Sequence, residues 1–383
     1  MKLACASSFD ATSISSWSGC SYYLVRALKA NRSLNVDFIG PLEEMTSFYL
    51  RSKYHFYNRV LHKNYLPNVD PRVLKDYARQ TALLLQNSEA EFILSLGALP
   101  IAYLETSRPI IYYWDCTFSG NLEYPWFSKL APESIKYGHE MERLALEKCS
   151  IAVFASDWAA QTAVERYGVS REKLKVVPLG ANLECNRTLE DAIKLVDMRS
   201  KQTCKLLFLG IDWIRKGGDV ALNVAKQLNA RGLETTLTVV GCDPLISEPL
   251  PSFVRCLGFL NKLQDDNKKT IEALLAESHF LIVPSIAESF GAVFCEASSF
   301  ATPSLARRVG GISTAVRDGV NGQLFSRDAD IATYCDFIIE VFQDHARYKA
   351  LALSSFGEYE TRLNWTKTAE TLVQLFESLP VTA

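Results

Sequence analysis

Short apolar runs alternate along the chain with longer stretches in which apolar side chains return every three or four residues. The runs at 2–6, 36–39, 92–96, 110–113, 151–155 and 174–178 read as strands. Amphipathic helical patterns at 22–30, 73–86 and 140–148 lie between most of them. The series then restarts, with strands expected at 204–209, 236–240, 254–257, 279–283 and 304–306 and helices at 219–231 and 268–277. Strands that alternate with helices build a parallel sheet covered by helices on both faces. Two such series predict an α/β chain of two doubly wound, Rossmann-like domains. The polar segment 179–202 separates them, with the hinge near its start. The expected division is 1–181 and 182–364, with a C-terminal helix at 365–383 returning to the first domain.

A length of 383 residues suits two domains of this kind. Apolar residues at 48% and charged residues at 22% are ordinary for a soluble protein, and a net charge of −2 gives no global attraction to nucleic acid. None of the ten cysteines forms a Cys-x-x-Cys pair, and most sit in apolar runs. That argues against a zinc ribbon or redox pair and fits a reducing, cytoplasmic setting. The start, MKLACASSF, lacks the apolar core of a signal peptide, and no window approaches about 18 uninterrupted apolar residues. Any membrane contact is then peripheral, at the inner face. The one stretch suited to it is 45–69, with Arg51, Lys53, Arg59 and Lys63, several aromatic residues and no acid. Two readings stand for that stretch: a basic aromatic helix on an anionic membrane, or aromatics packed on the first domain with the cations in water.

Candidate chemistry concentrates in SIAESFGAVFCEAS, residues 285–298. It follows the expected strand ending at 284 and leads into a helix from 291. In open parallel sheets, ligands bind at such strand-to-helix loops. Glu288 lies in the loop with Ser289. The backbone N–H groups of Phe290, Gly291 and Ala292 open the helix and suit a phosphate. Gly291 lets a ligand approach the backbone. Glu296, inside the helix, is placed to accept hydrogen bonds from vicinal hydroxyls. Two acceptors flanking a phosphate site describe a nucleotide-sugar pocket. The plainer alternative makes Glu288 a capping or solvated acid.

Residues 283–325, VPSIAESFGAVFCEASSFATPSLARRVGGISTAVRDGVNGQLF, resemble the donor-binding segment of family 4 glycosyltransferases. These are retaining enzymes of the GT-B fold, with two Rossmann-like domains facing across a cleft. Their signature is Glu, seven residues, Glu, here Glu288 and Glu296, and Gly310-Gly311-Ile312 and Asn321-Gly322 follow it. A second resemblance covers 208–228, FLGIDWIRKGGDVALNVAKQL. There the family places a basic pair against the leaving diphosphate. Lys216 matches the family lysine. The family arginine follows the glycine, where this chain has Ile211, so Arg215 is the candidate replacement. A third resemblance spans 137–183, where Ser156 reads as a helix cap. Gly19, in WSGCSYYL, matches a glycine loop near donor phosphate and acceptor, although its serines suit any flexible turn. Gly258, Phe259 and Leu260 resemble the segment that holds the base. Where the family carries a histidine, this chain has Asp115. It is either a contact to sugar or acceptor or the cap of the next helix. Asp328 and Asp330 formally match an Asp-x-Asp metal motif but are better explained as helix capping.

The resemblance implies retaining, metal-independent transfer from a UDP- or GDP-sugar to a hydroxyl of a glycan or lipid-linked acceptor in surface polysaccharide or lipopolysaccharide synthesis. No cofactor and no nucleic acid partner are expected. The competing readings are a nucleotide-sugar epimerase, a pyridoxal-phosphate phosphorylase, and a non-catalytic nucleotide-sugar-binding protein. A dehydrogenase is disfavoured, because no Gly-x-Gly-x-x-Gly follows an early strand.

Overall fold

The computed structural model describes residues 1–380. Its contacts divide the chain into Met1–Pro178 with Trp365–Ala383, and Leu179–Asn364. Each unit carries one six-stranded sheet, and all strand pairs are parallel.

The first sheet has the order β2-β1-β3-β4-β5-β6. Its strands are β1 (Lys2–Ala6), β2 (Asn35–Ile39), β3 (Phe92–Leu96), β4 (Ile110–Trp114), β5 (Ile151–Phe154) and β6 (Leu174–Val176). Central strands β3 and β5 are buried along their full length, as helices on both faces require. The C-terminal helix Trp365–Glu377 packs on the helix Cys20–Ala30, and Phe376 lies 5.6 Å from Phe92, centroid to centroid. The expected C-terminal helix extended to 383. Residues 378–380 follow the observed helix, and 381–383 lie outside the described residues.

The second sheet has the order β12-β11-β10-β7-β8-β9. Its strands are β7 (Cys204–Leu209), β8 (Thr235–Val240), β9 (Val254–Cys256), β10 (Phe280–Val283), β11 (Ser304–Arg307) and β12 (Gly322–Phe325). Counted from β7, this is the dinucleotide-fold order 3-2-1-4-5-6. Its topological switch point lies between β7 and β10, so the loops after those two strands diverge and leave a crevice. The segment expected as a polar break belongs to this unit. It contains the helix Leu189–Asp197, opened by a capping box between Thr188 and Asp191. The charge density that read as a linker is the helix's first turn.

All ten cysteines are free. Burial pushes the Cys5 thiol up to about 12 and Cys149 up to about 11, so these act as small apolar side chains. Among the described residues, no helix is long and apolar enough to cross a membrane.

Two buried ionisable groups give the units opposite responses to pH. Glu142 in the first unit is pushed up to about 7 by burial, with Tyr112 Oη donating to it at 2.9 Å. An acid whose folded value lies above its usual 4.5 contributes stability that fades as pH rises from 4.5 through 7. His279 in the second unit is pushed down to about 4, chiefly by burial. Its Nδ1 accepts from the Lys205 N–H at 3.0 Å, so the neutral ring is the form the fold binds. Stability from His279 is therefore lost as pH falls from 6.5 towards 4, at up to about 1.4 kcal/mol per pH unit. In urea titrations, Glu142→Gln will flatten the loss of stability between pH 5 and 7 in unfolding of the first unit. His279→Asn will flatten the loss below pH 6 in the second. Unchanged slopes in both variants would refute these assignments.

Candidate functional site

The site is built at the switch point of the second sheet. After β7 the chain turns through Gly210 and Ile211 into a one-turn helix, Trp213–Lys216. The basic pair was expected at a turn, but Asp212 caps this helix by accepting from the Arg215 N–H at 3.0 Å. The cap holds Arg215 and Lys216 in successive helical positions. Trp213 is buried beneath them and donates from its indole N–H to Asp219 at 2.8 Å.

After β10 the segment 284–288 runs past this helix. The Ile286 N–H donates to the Arg215 carbonyl at 2.8 Å, and the Gly311 N–H donates to the Glu288 carbonyl at 3.0 Å. Two glycines make room for that path. A Cβ at Gly217 would lie 2.3 Å from the Pro284 carbonyl oxygen, and one at Gly310 would lie 2.0 Å from that of Glu288. Both have left-handed backbones, with φ of 77° and 50°. The Glu288 backbone is thus fixed on two sides before its side chain is considered.

The Glu288 carboxylate accepts from Lys216 Nζ and from Arg215 Nη1, the latter at 3.3 Å. Arg215 Nη1 also donates to the Ala287 carbonyl at 3.1 Å. All three side chains are between 11 and 13% exposed. The Asp212 carboxylate also lies 3.7 Å from Arg215 Nε, so two cations and two carboxylates share the loop. Sequence reasoning placed Glu288, Lys216 and Arg215 in one pocket, and the structure brings them together. Neither capping nor full solvation, the plainer alternative for Glu288, describes this carboxylate.

The helix after Glu288 runs Ala292–Ser298, shorter at both ends than expected, with Gly291 as its cap at φ 88°. Ser289 and Phe290 are buried. Gly291 was expected to admit a ligand. A Cβ there would meet the Phe294 ring at 2.6 Å, so packing already demands the glycine. The first N–H groups of a helix lack intrahelical acceptors, and Ala292 stands at that position. Glu296 is 3% exposed, and its carboxylate accepts from Lys262 Nζ at 2.5 Å. Burying a carboxylate costs several kcal/mol unless it is paired, and Lys262 is that partner. Lys262 was missed in the sequence. It follows Gly258, Phe259 and Leu260 in the loop after β9, and only proximity in the fold marks it.

In that loop the Gly258 carbonyl accepts from the Gly241 N–H at 2.8 Å, which ties it to the loop after β8. Leu260 is half-buried, whereas the Phe259 ring is 69% exposed and available to a flat ligand. Asp330 caps the helix Ile331–Gln343 by accepting from the Thr333 N–H at 2.9 Å, which accounts for one half of the Asp-x-Asp match. Among the described residues, no group of three or more His, Cys, Asp or Glu side chains is placed to hold a metal ion.

The first unit holds the remaining candidates. Gly19 caps the helix Cys20–Ala30 with φ 90°, directly after Trp17 and Ser18, which also have left-handed backbones at φ 45° and 55°. Such conformations cost energy in residues other than glycine and cluster at binding sites. Asp115 follows β4 and is half-buried. The cap of the next helix is Thr117, which accepts from the Gly120 N–H at 3.1 Å, so capping does not explain Asp115. Beside it the Trp114 ring stacks on Trp17 at 4.3 Å and tilts against Phe9 at 6.1 Å. This aromatic group at the carboxyl ends of β1 and β4 was missed, because its members are far apart in the chain.

Residues 203–344 match the family model described as Glycosyl transferases group 1. D-inositol 3-phosphate glycosyltransferase of Nocardia farcinica is 29% identical over 229 residues, 57% of this chain and 50% of that protein. The enzyme of the same name from Nocardiopsis dassonvillei is 30% identical over 236 residues, 58% of this chain and 54% of that one. The chain thus spans about half the length of the curated relatives it matches. Similar solved structures include sucrose-phosphate synthase of Thermosynechococcus elongatus (TM-score 0.66, 16% identity, 98% of both chains). WaaG, a glycosyltransferase involved in lipopolysaccharide biosynthesis, aligns with a TM-score of 0.62 at 14% identity, over 99% of this chain and 100% of that one. HepE of Anabaena, solved with UDP and glucose, gives 0.62 at 18% identity over the same shares. The chain has the two-domain α/β GT-B fold of these glycosyltransferases.

Proposed function

We propose that the protein is a retaining glycosyltransferase that moves a sugar from a UDP- or GDP-sugar to a hydroxyl of a glycan or lipid-linked acceptor, in surface polysaccharide or lipopolysaccharide synthesis. The observation that carries this reading is the Glu288 carboxylate held between Lys216 and Arg215 at the switch point, with buried Glu296 on the helix that follows.

The donor's pyrophosphate takes Lys216, Arg215 and the N–H groups at Phe290, Gly291 and Ala292. Glu296 accepts from the ribose hydroxyls, displacing Lys262. Leu260, Gly258 and the exposed Phe259 ring flank the base. Glu288 exchanges its cationic partners for sugar hydroxyls as the phosphates engage Lys216 and Arg215. The bond between the anomeric carbon and the phosphate oxygen then breaks, and the pair of electrons leaves with the diphosphate. Lys216 and Arg215 stabilise that growing charge in a site already oriented for it. The acceptor oxygen bonds to the anomeric carbon on the face that the diphosphate leaves, and its proton passes to the departing phosphate. Protein cations suffice for this charge, so no metal is required by the mechanism. Acceptor binding falls to the first unit, with Asp115 and the Gly19 loop as the contacts. UDP and UDP-glucose occupy the solved HepE, which favours a uridine donor.

Two outcomes test the assignment. Glu296→Ala loses a charged hydrogen-bond acceptor worth about 1.5–3 kcal/mol, so calorimetry will show donor affinity falling by roughly one to two orders of magnitude. The circular dichroism spectrum of that variant will stay unchanged. Equal affinity for the variant and the parent would rule out the ribose contact. Lys216→Ala removes one preorganised cation and will lower kcat by about 10²–10³, with a smaller change in donor KM. Turnover at the parent rate would remove Lys216 from the mechanism. Nucleotide-sugar binding without transfer to a broad acceptor panel would instead favour a binding protein.

A further inference from the structure

The segment 45–69 was legible as basic and aromatic, and the donor chemistry makes no use of it. In the structure it forms the helix Phe48–His55, which continues through a wider turn, Phe56–Val60. One side is pinned to the first unit. Leu50 is buried. Lys53 pairs with Asp70 at 3.3 Å and with Glu133 at 2.6 Å. Tyr57 stacks on Tyr65 at 5.4 Å and donates to Glu133 at 3.1 Å. Positions 50, 53 and 57 share one helical face, so the segment is held in a fixed orientation.

The other side carries what a folded surface usually hides. Phe48 is 88% exposed, Val60 62% and Phe56 51%, with Tyr54 and Leu61 also exposed. The reading in which this segment packs its aromatics on the first domain is therefore overturned for these side chains. Arg51, His55, Arg59, His62 and Lys63 are exposed among them, and no acid occurs between 45 and 69. Glu44, just upstream, and the buried Asp70, just downstream, are the nearest acids in sequence.

We propose that the face bearing Phe48, Phe56, Val60 and Leu61 docks on an anionic lipid surface, with Arg51, Arg59 and Lys63 against the headgroups. The argument is charge complementarity joined to projection. Large apolar side chains that stand clear of the fold enter the interface, and interspersed cations select negative lipid. Nucleic acid would use the cations and rings but has no use for Val60 and Leu61. The chain's net charge of −2 means that any attraction to anions is local to this face. The proposal is independent of the donor assignment.

The test is co-sedimentation of the full chain with vesicles of phosphatidylcholine alone, and with vesicles containing about 30% phosphatidylglycerol, at about 0.1 and 0.5 M salt. The expected result is at least about fivefold more protein on the anionic vesicles, with most of the gain lost at high salt. The triple variants Phe48→Ser/Phe56→Ser/Leu61→Ser and Arg51→Ser/Arg59→Ser/Lys63→Ser will each lose at least about fivefold of that binding. Their donor binding will be unchanged, which separates this result from failure of the donor site. Phe48→Trp, which keeps the face intact, will show emission quenched by brominated lipid chains relative to the parent protein. Absence of vesicle binding, equal binding to both vesicle types, an unquenched Phe48→Trp, or a concentration-dependent dimer that covers Phe48 would each overturn the proposal. Single-stranded RNA binding without vesicle binding would do the same.

Discussion

The second unit turns on one electrostatic arrangement, a carboxylate and two cations held in a loop with little water around them. Two like charges about 4 Å apart repel by some 4 kcal/mol at the effective dielectric of a protein surface. Lys216 and Arg215 converge on one point only because Glu288 lies between them. Glu288 stays there because its backbone passes Gly310 on one side, and because Ile286 is bonded to the Arg215 carbonyl. The two cations are thus held in a fixed arrangement by the carboxylate between them. In the proposed transfer, the diphosphate meets groups already in place. Lys262 and Glu296 repeat the device with a single pair, which gives the buried Glu296 carboxylate a cationic partner.

Much of this was legible from the chain, and the reasons are physical. Strands β3, β5 and β10 are buried on both faces, so they appear as uninterrupted apolar runs. The loop after β10 announces itself because two acids and a glycine interrupt an otherwise apolar stretch. Glu288, Lys216 and Arg215 could be named together before the fold was known because both of their segments carry the family resemblance, and the fold then sets them at the switch point of the second sheet. Ser156 behaves as read, accepting from the Ala159 N–H at 3.2 Å.

What was not legible depends on contacts between distant residues or on local hydrogen bonds. Lys262 carries no motif, and its meaning comes from Glu296, 34 residues later. Trp17, Trp114 and Phe9 meet only because β1 and β4 end on the same edge of one sheet. The helix Leu189–Asp197 was read as linker because its acids, which serve its first turn, look like a charged spacer. Asp115 looked like a cap candidate until Thr117 was seen to fill that role. For the segment 45–69, composition left two readings open. One face is anchored through Lys53, while Phe48 projects into solvent.

The central claim is that the loops after β7 and β10 together grip a nucleotide diphosphate. Hydrogen–deuterium exchange in the presence of UDP, and separately of GDP, tests it without any knowledge of sugar or acceptor. The account predicts that at least one nucleotide slows exchange in peptides covering 210–218 and 286–296 together, and that the Lys216→Ala/Glu288→Ala variant loses this protection. If neither nucleotide at millimolar concentration protects these peptides, or if protection appears only elsewhere in the chain, the account is contradicted.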